Sequence, residues 1–296
     1  MIGDIRHVLL IPHVKIQNAN ALSSPFTIGF PAMTAWLGAV HALQRKVNGS
    51  GVRNVNFINV AVVSHRMDLQ TYKGAGDYVH SIVGTGNPLD KDGERSSFIE
   101  EARCHLDASL LIEYLRMNRD DEEALLEQID HHLNASMKIA GGDILSFQKP
   151  ALHRLEEGND AELRRLTRQL MPGYAIIERR ELMIDAMKQG QDAIDALLDY
   201  LAVRHSCEKD ESGNVAWASQ RKTSGWIVPI ATGFHGITEL GRAKNQRDPD
   251  TPHRFAESVV TLGEFRMPHR IHALDEILWC YHTDSNKNLY LCQQTS

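Results

Sequence analysis

The segment Arg103 to Tyr114 constrains the fold most. It places Cys104, Leu106, Ala108 and Leu110 on one side and Arg103, His105, Asp107 and Ser109 on the other. A period of two is the signature of an extended strand with one buried and one polar face. Such a strand needs neighbours, and two further segments supply them. Val8 to Ile16 is apolar and β-branched, with Pro12 marking a bulge or an edge position. Val52 to Ser64 carries Val55, Phe57 and Ile58 into the apolar run Val60 to Val63.

Helical periodicity separates these strands. Trp36, Leu37, Val40, Leu43 and Val47 recur at three- and four-residue steps, which predicts a helix over Met33 to Val47. Asp121 to Met137 reads as a second helix, its first turn acidic where the helix dipole favours acids. Ala140-Gly141-Gly142 ends that region and leads into Ile144 and Leu145. Between Met67 and Ser97 lies a polar excursion holding Gly74, Gly76, Gly84, Gly86 and Gly93, with Tyr78 to Val83 as one arm of a hairpin. Loops this long in a compact domain are usually functional. The resulting order is βαββαβ. It predicts an α+β chain with a ferredoxin-like, RRM-type core and an insertion between its second and third strands.

The second half is less periodic. Asp160 to Met171 is a basic helix stopped by Pro172-Gly173, followed by a short strand at Tyr174 to Ile177. Glu181 to Val203 reads as a further helix broken near Gly190, and Cys207 to Ser224 as loop. Trp226 to Ile230 is strand-like before the loop Thr232 to Gly236. The charged stretch Asn245 to Pro252 precedes Phe255 to Phe265, and Ile277 to His282 with Leu289 to Cys292 forms a closing hairpin.

At 296 residues the chain can bury a large core, and 42% hydrophobic with 24% charged residues is globular composition. A net charge of -6 means that any nucleic-acid site must be a local basic surface. Cys104, Cys207, Cys280 and Cys292 form no CxxC pair, so no zinc cluster or disulfide framework is expected. The residues from Met1 to Arg6 do not read as a signal peptide, and no apolar run approaches the roughly 20 residues that span a bilayer. The expectation is a soluble, cytoplasmic protein without a membrane contact.

Fifteen histidines invite an enzyme reading, yet no HExxH, Walker A, G-x-S-x-G or strand-linked G-x-G-x-x-G occurs. No catalytic residue, metal or cofactor is therefore assigned. His65-Arg66 and His105, each near a strand, are the histidines placed for RNA contact. Arg164, Arg165 and Arg168 share a helix face, with Arg179 and Arg180 beyond, and Arg242, Lys244, Arg247 and Arg254 form a looser cluster. Either group is a solvated face or a phosphate-binding stripe. The segment from Gln17 to Phe30, with Asn18, Asn20, Ser23 and Ser24, lacks helix or strand periodicity. Its amides and hydroxyls either cap the helix at Met33 or read base edges.

The strings Ile16-Gln17-Asn18-Ala19-Asn20-Ala21, Ser23-Ser24-Pro25, Gly29-Phe30-Pro31 and His41-Ala42-Leu43-Gln44-Arg45 resemble the second Csy subunit of type I-F CRISPR surveillance complexes. Matches continue through His65-Arg66, Asn87-Pro88-Leu89, Asp92-Gly93, Glu100-Glu101, Ala140-Gly141-Gly142, Arg165-Leu166-Thr167-Arg168, Gly225-Trp226 and Leu262-Gly263-Glu264. The resemblance implies a single RAMP-type unit over 1–296, with an inserted thumb at 67–97 and surface loops at 150–160 and 207–222. It implies a non-catalytic subunit that binds the 5′ handle of the CRISPR RNA and pairs with the large Csy subunit. Backbone Csy subunits would flank it, and target DNA would be met only through the assembled complex. On that reading Gln17, Asn18, Asn20 and Ser24 contact base edges or sugar hydroxyls. Arg66, Arg103, Arg165, Arg168 and Arg254 neutralise phosphates, His65 lies beside them, and Tyr78 helps to pin the strand. The rivals are a metal-independent endoribonuclease of the same fold, with His65 or His105 as acid or base, and a scaffold that touches no RNA.

Overall fold

The computed structural model describes residues 5–52, 54–83, 89, 92–95, 101–209, 214–246 and 248–294. Gly84, Gly86, Asn87, Pro88, Ser97, Glu100 and Arg247, all named above, lie outside the described residues.

The first strand, β1 (Ile5–Asn20), runs past the expected end at Ile16 and through the polar Gln17 to Asn20. A small hairpin, β2 (Leu22–Ser24) and β3 (Thr27–Ile28), leads to α1 (Met33–Gly49). Then come β4 (Phe57–Leu69) and a hairpin of β5 (Thr71–Tyr72) and β6 (Ser81–Ile82). Next are β7 (Arg103–Tyr114), α2 (Arg119–Ala135), β8 (Lys138–Ile139) and β9 (Gly142–Ser146). The 150–160 stretch is not a surface loop: it holds β10 (Ala151–Glu156), paired antiparallel with β1 from Ile5 to Leu10.

The remainder is α3 (Asp160–Gln169), β11 (Tyr174–Glu178), α4 (Arg180–Lys188) and α5 (Ala193–Leu201). Gly190, at φ 98°, separates the last two helices as the broken periodicity predicts. The 207–222 stretch also departs from a loop. Its residues 207–209 and 215–220 belong to a ribbon of β12 (Arg204–Lys209) and β13 (Val215–Gln220), all twelve strand residues exposed. Asp199 of α5 anchors the ribbon base through Arg204 and Lys222. The last strands are β14 (Trp226–Gly236), β15 (Ala256–Arg266), β16 (Trp279–Asp284) and β17 (Leu289–Gln294). The expected loop Thr232 to Gly236 is thus strand, carried past a bulge between Ala231 and Gly233.

Eleven strands form one antiparallel sheet in the order β11-β15-β14-β17-β16-β4-β7-β1-β9-β8, with β10 on β1. Five α-helices accompany it among the described residues. Strand β7 is central, hydrogen-bonded to β1 and to β4 along most of its length. The alternation of period two sends Leu9, Ile11, Val60, Val62, Leu110 and Ile112 to one face, under α1 and α2. It sends Val8, Leu10, Ala61, Val63 and Leu111 to the other, beneath Leu166 and Leu170 of the α3 region and Ile271 and Leu274. The expected polar face of β7 therefore survives only from Arg103 to Asp107, because later residues are covered on both sides.

The outer edge of β4 is shared. Val60 pairs with Trp279 of β16, whereas Val63 and Ser64 pair with Ala175 and Tyr174 of β11. Trp279 closes the fork: fully buried, its indole Nε1 donates to the Ile176 carbonyl of β11 at 2.9 Å. Through it the pairing β4-β11-β15-β14-β17-β16-β4 closes a ring. Truncating a fully buried aromatic of this size costs about 3–5 kcal/mol. Trp279→Ala is expected to lower the unfolding free energy by about that much, and Trp279→Phe by less. Urea titration checks both, and an unchanged midpoint for Trp279→Ala would contradict the closure.

Candidate nucleic-acid interface

The half of the sheet that α3 leaves uncovered is polar because three irregularities break the apolar alternation there. Strand β1 bulges between Ile11 and Val14 and again between Ile16 and Ala19, and β4 bulges between Ser64 and Arg66. His13 and Asn18 take φ values of 49° and 58° in the first two. Positive φ is uncommon for residues with a Cβ and is tolerated best by Asn, Asp and His. Bulges re-aim side chains, and they cluster near functional sites.

Register assembles the rest into rungs across three strands. Asp107 of β7 lies between Lys15 of β1 and Arg66 of β4. His105 pairs with Asp68, and its Nδ1 accepts from the Asn18 backbone N–H at 3.1 Å. Arg103 pairs with Asn20 and holds Glu101 at 2.6 Å. Lys15, Gln17, Asn18, Asn20 and Arg66 are exposed, and Arg66 is 78% open at its side chain. The surface carries both signs of charge.

The second bulge is held from the far side. A Cβ on Gly142 would meet the Gln17 carbonyl, Ile16 and the Ala19 nitrogen at 2.7–2.8 Å, so only glycine fits. Asn20 N–H donates to the Ala140 carbonyl at 2.8 Å. The Ala140-Gly141-Gly142 string thus packs against both sides of the bulge that carries Asn18.

At the inner end of the platform His13, His65, Asp107 and Ser109 form one network. His13 Nδ1 lies 3.0 Å from Asp107 Oδ1, and the His13 backbone N–H donates to Ser109 Oγ at 3.0 Å. Ser109 Oγ lies 2.6 Å from His65 Nε2, and His65 Nδ1 lies 2.6 Å from the Pro172 carbonyl. A carbonyl only accepts, so Nδ1 carries the proton and Nε2 accepts from Ser109. Burial favours that neutral form and lowers the His65 pKa. His13, His65 and Asp107 place ligand atoms within 4.8 Å of one another, a spacing a divalent cation can use. However, the two rings stack at 4.1 Å with 24° between planes. Their lone pairs run in near-parallel planes, and both His65 nitrogens are committed, so one cation cannot take both rings in this arrangement.

The sequence-predicted residues divide accordingly. Gln17, Asn18, Asn20, His65, Arg66 and Arg103 come together on the platform. Tyr78 stands at the turn of the β5–β6 hairpin, 97% exposed, rather than on the expected arm. The hairpin continues the platform, since Val83 N–H donates to the Gln70 carbonyl and Gln70 N–H to that of Arg103. Arg165 and Arg168 are exposed on α3, whose exit segment docks on His65 through Pro172. Ser24 does not face this surface as a free hydroxyl: it is 5% exposed, with its Oγ on Thr27 Oγ1 and accepting from Phe26 N–H. Arg254 packs on Gly236 and donates to Asn288 Oδ1, beside the β16–β17 turn. Arg179 and Arg180 are taken by Glu264, Glu181, Glu178 and Gln293, so they form no open phosphate stripe. The polar segment does not cap α1, whose N-cap is Ala32 with no side-chain bond. Asn20 instead closes a turn on Leu22 through both ends of its amide.

His13, Lys15, Asp68 and Asp107 are the platform residues that sequence reasoning missed. His13 follows Pro12 inside an apolar strand, and only a bulge there turns it outward. The alternation of Arg103 to Ser109 was the available signal for Asp107.

The comparisons with known proteins agree with one another. The profile of a CRISPR-associated protein family, Cas_Csy2, matches residues 9–292. The CRISPR-associated protein Csy2 of Pseudomonas aeruginosa (strain UCBPP-PA14) is 36% identical over 315 residues, covering 98% of this chain and 95% of that protein. The chain belongs to the CRISPR-associated Csy2 family. The resemblance drawn from its residues is borne out, and no helix among the described residues is long and apolar enough to cross a membrane.

Burial sets a pH dependence. His65 and His153 both have pKa values lowered below the ordinary value near 6.5, chiefly by desolvation. The unfolded chain therefore binds these protons first as pH falls, and stability is lost below about 6.5. Glu178 acts oppositely, since burial raises its pKa to about 6, and its contribution is lost as pH rises through that value. Urea unfolding is expected to give lower stability at pH 6 than at pH 7.5, with a smaller drop in His65→Gln. Equal or greater stability at pH 6 would contradict the assignment.

Proposed function

We propose that this chain is a non-catalytic, RNA-binding subunit of a type I-F CRISPR RNA-guided surveillance complex, holding the 5′ handle of the CRISPR RNA on the β1–β7–β4 platform. The strand order β9-β1-β7-β4, with α1 and α2 over one face, is read as its RRM-like, RAMP-type core. The β5–β6 hairpin is read as its thumb. One observation carries the proposal: the bulged ends of β1 and β4 gather exposed amides and cations onto one face in a chain of the Csy2 family.

Gln17 and Asn18 present exposed amide groups for base edges, and Asn20 orders the turn beside them. Lys15, Arg66 and Arg103 serve phosphates, and Arg165 and Arg168 extend the track along α3. Tyr78 offers a ring to stack on a base. Asp68 and Asp107 interrupt the positive field, which keeps the face from acting as a general polyanion trap. Target DNA is met inside the assembled complex, where guide pairing reads its sequence. The large Csy subunit is the expected heterodimer partner, with backbone Csy subunits alongside, in the cytoplasm.

Binding of handle RNA and a scrambled RNA of equal length to the full chain tests this. The parent is expected to prefer the handle, and Asn18→Ala with Asn20→Ala to lose much of that preference. Arg66→Ala with Arg103→Ala weakens both RNAs and flattens the log K against log salt slope by about 1.4, at about 0.7 per phosphate contact on single strands. Equal affinity of the parent for both RNAs would sink the handle reading.

A further inference from the structure

Apart from the hairpin that carries Tyr78, the described residues of the platform offer a nucleotide no phenyl or indole ring. Among the described residues of β1, β4 and β7 that share its face, the flat surfaces are the imidazoles of His13, His65 and His105 and the guanidinium groups of Arg66 and Arg103. Two of the imidazoles are already stacked: His13 and His65, with centroids 4.1 Å apart and planes 24° from parallel. This stack is fixed at every joint. His13 owes its direction to the bulge and its positive φ. Its ring rotation is set by Asp107 at 3.0 Å, and its backbone is tied to Ser109. His65 beneath it is pinned on one side by Ser109 and on the other by the Pro172 carbonyl. Behind His65 there is no slack, because a Cβ on Gly173 would meet His65 Nδ1 at 2.8 Å.

Such fixing exceeds what a surface histidine needs. The His13 side chain stays 27% exposed, and its Nε2 bonds no partner among the described residues. With one ring face against His65 and Nδ1 on Asp107, we assign the remaining exposure of His13 to the opposite face and the Nε2 edge. We propose that His13 is the seat for one splayed nucleobase, which stacks on its open face as a third layer over His65. Single-stranded RNA is commonly read in this way, with unstacked bases laid on aromatic rings, imidazole included. Lys15 and the second Asp107 oxygen flank the seat and supply one donor and one acceptor for the base edge. The proposal rests on the reading that RNA lies on this platform.

The test scans handle RNAs that each carry one abasic nucleotide, bound to the full chain and to two variants. His13→Asn removes the ring but tolerates positive φ and keeps a donor for Asp107, so the fold is preserved. His13→Phe keeps a ring and loses the Asp107 bond. In the parent, one abasic position should cost affinity on the order of ten-fold, as the loss of one stacked base does. That penalty should vanish in His13→Asn, because the variant and the missing base remove the same contact. It should return in His13→Phe. A merely structural His13 would weaken all RNAs alike and would not be rescued by Phe. Abasic penalties that stay unchanged in His13→Asn overturn the seat while leaving the handle reading intact. A parent chain that binds no RNA overturns both.

Discussion

Everything in this fold turns on the outer edge of β4, which two strands share. A strand edge normally has one neighbour, yet β4 gives Val60 to β16 and Val63 with Ser64 to β11. Trp279 makes this possible by filling the fork with its ring while its N–H satisfies the Ile176 carbonyl. A buried carbonyl without a donor would cost on the order of 1–3 kcal/mol, so the indole supplies both volume and a hydrogen bond. With its outer edge closed, β4 holds β7 against β1, and the pairing of those three strands sets the rungs of the platform.

That frame accounts for the division of the sheet. From Ala108 to Tyr114 strand β7 is buried on both faces, and no polar surface exists there. From Arg103 to Asp107 the helix α3 no longer covers it, and the bulges at His13, Asn18 and His65 turn polar groups toward solvent. The net charge of -6 is reconciled with a nucleic-acid role in the same way. Acid on the platform is interleaved with base, as in the rung Lys15, Asp107 and Arg66, and binding depends on position more than on total charge.

Much of the first half was legible in the sequence because burial there is one-sided or regular. The α1 stripe from Trp36 to Val47, the apolar run Val60 to Val63 and the alternation from Arg103 are all written in period. The strand end from Gln17 to Asn20 was not legible, because the bulge between Ile16 and Ala19 erases the period of two and leaves a string that looks like loop. The β12–β13 ribbon was missed for another reason: none of its residues is buried, so it has no apolar rhythm to read. Strand β10 hid because it is short and only Leu155 within it is deeply buried. Arg179 and Arg254 looked like phosphate ligands in a one-dimensional count, and only the fold reveals the carboxylates and the Asn288 amide that occupy them. The Ala140-Gly141-Gly142 string could be matched by resemblance alone, since its role depends on how closely β9 approaches the β1 bulge.

The central claim is that RNA lies across the bulged ends of β1, β4 and β7. Photo-crosslinking of the full chain to handle RNA, followed by mass spectrometric mapping of the crosslinked peptides, tests it most directly. Crosslinks are expected within residues 13–20, 65–68 and 103–107, with a further one at the hairpin that carries Tyr78. Crosslinks confined to the β14–β17 side of the molecule, with none on these three strand ends, would contradict it.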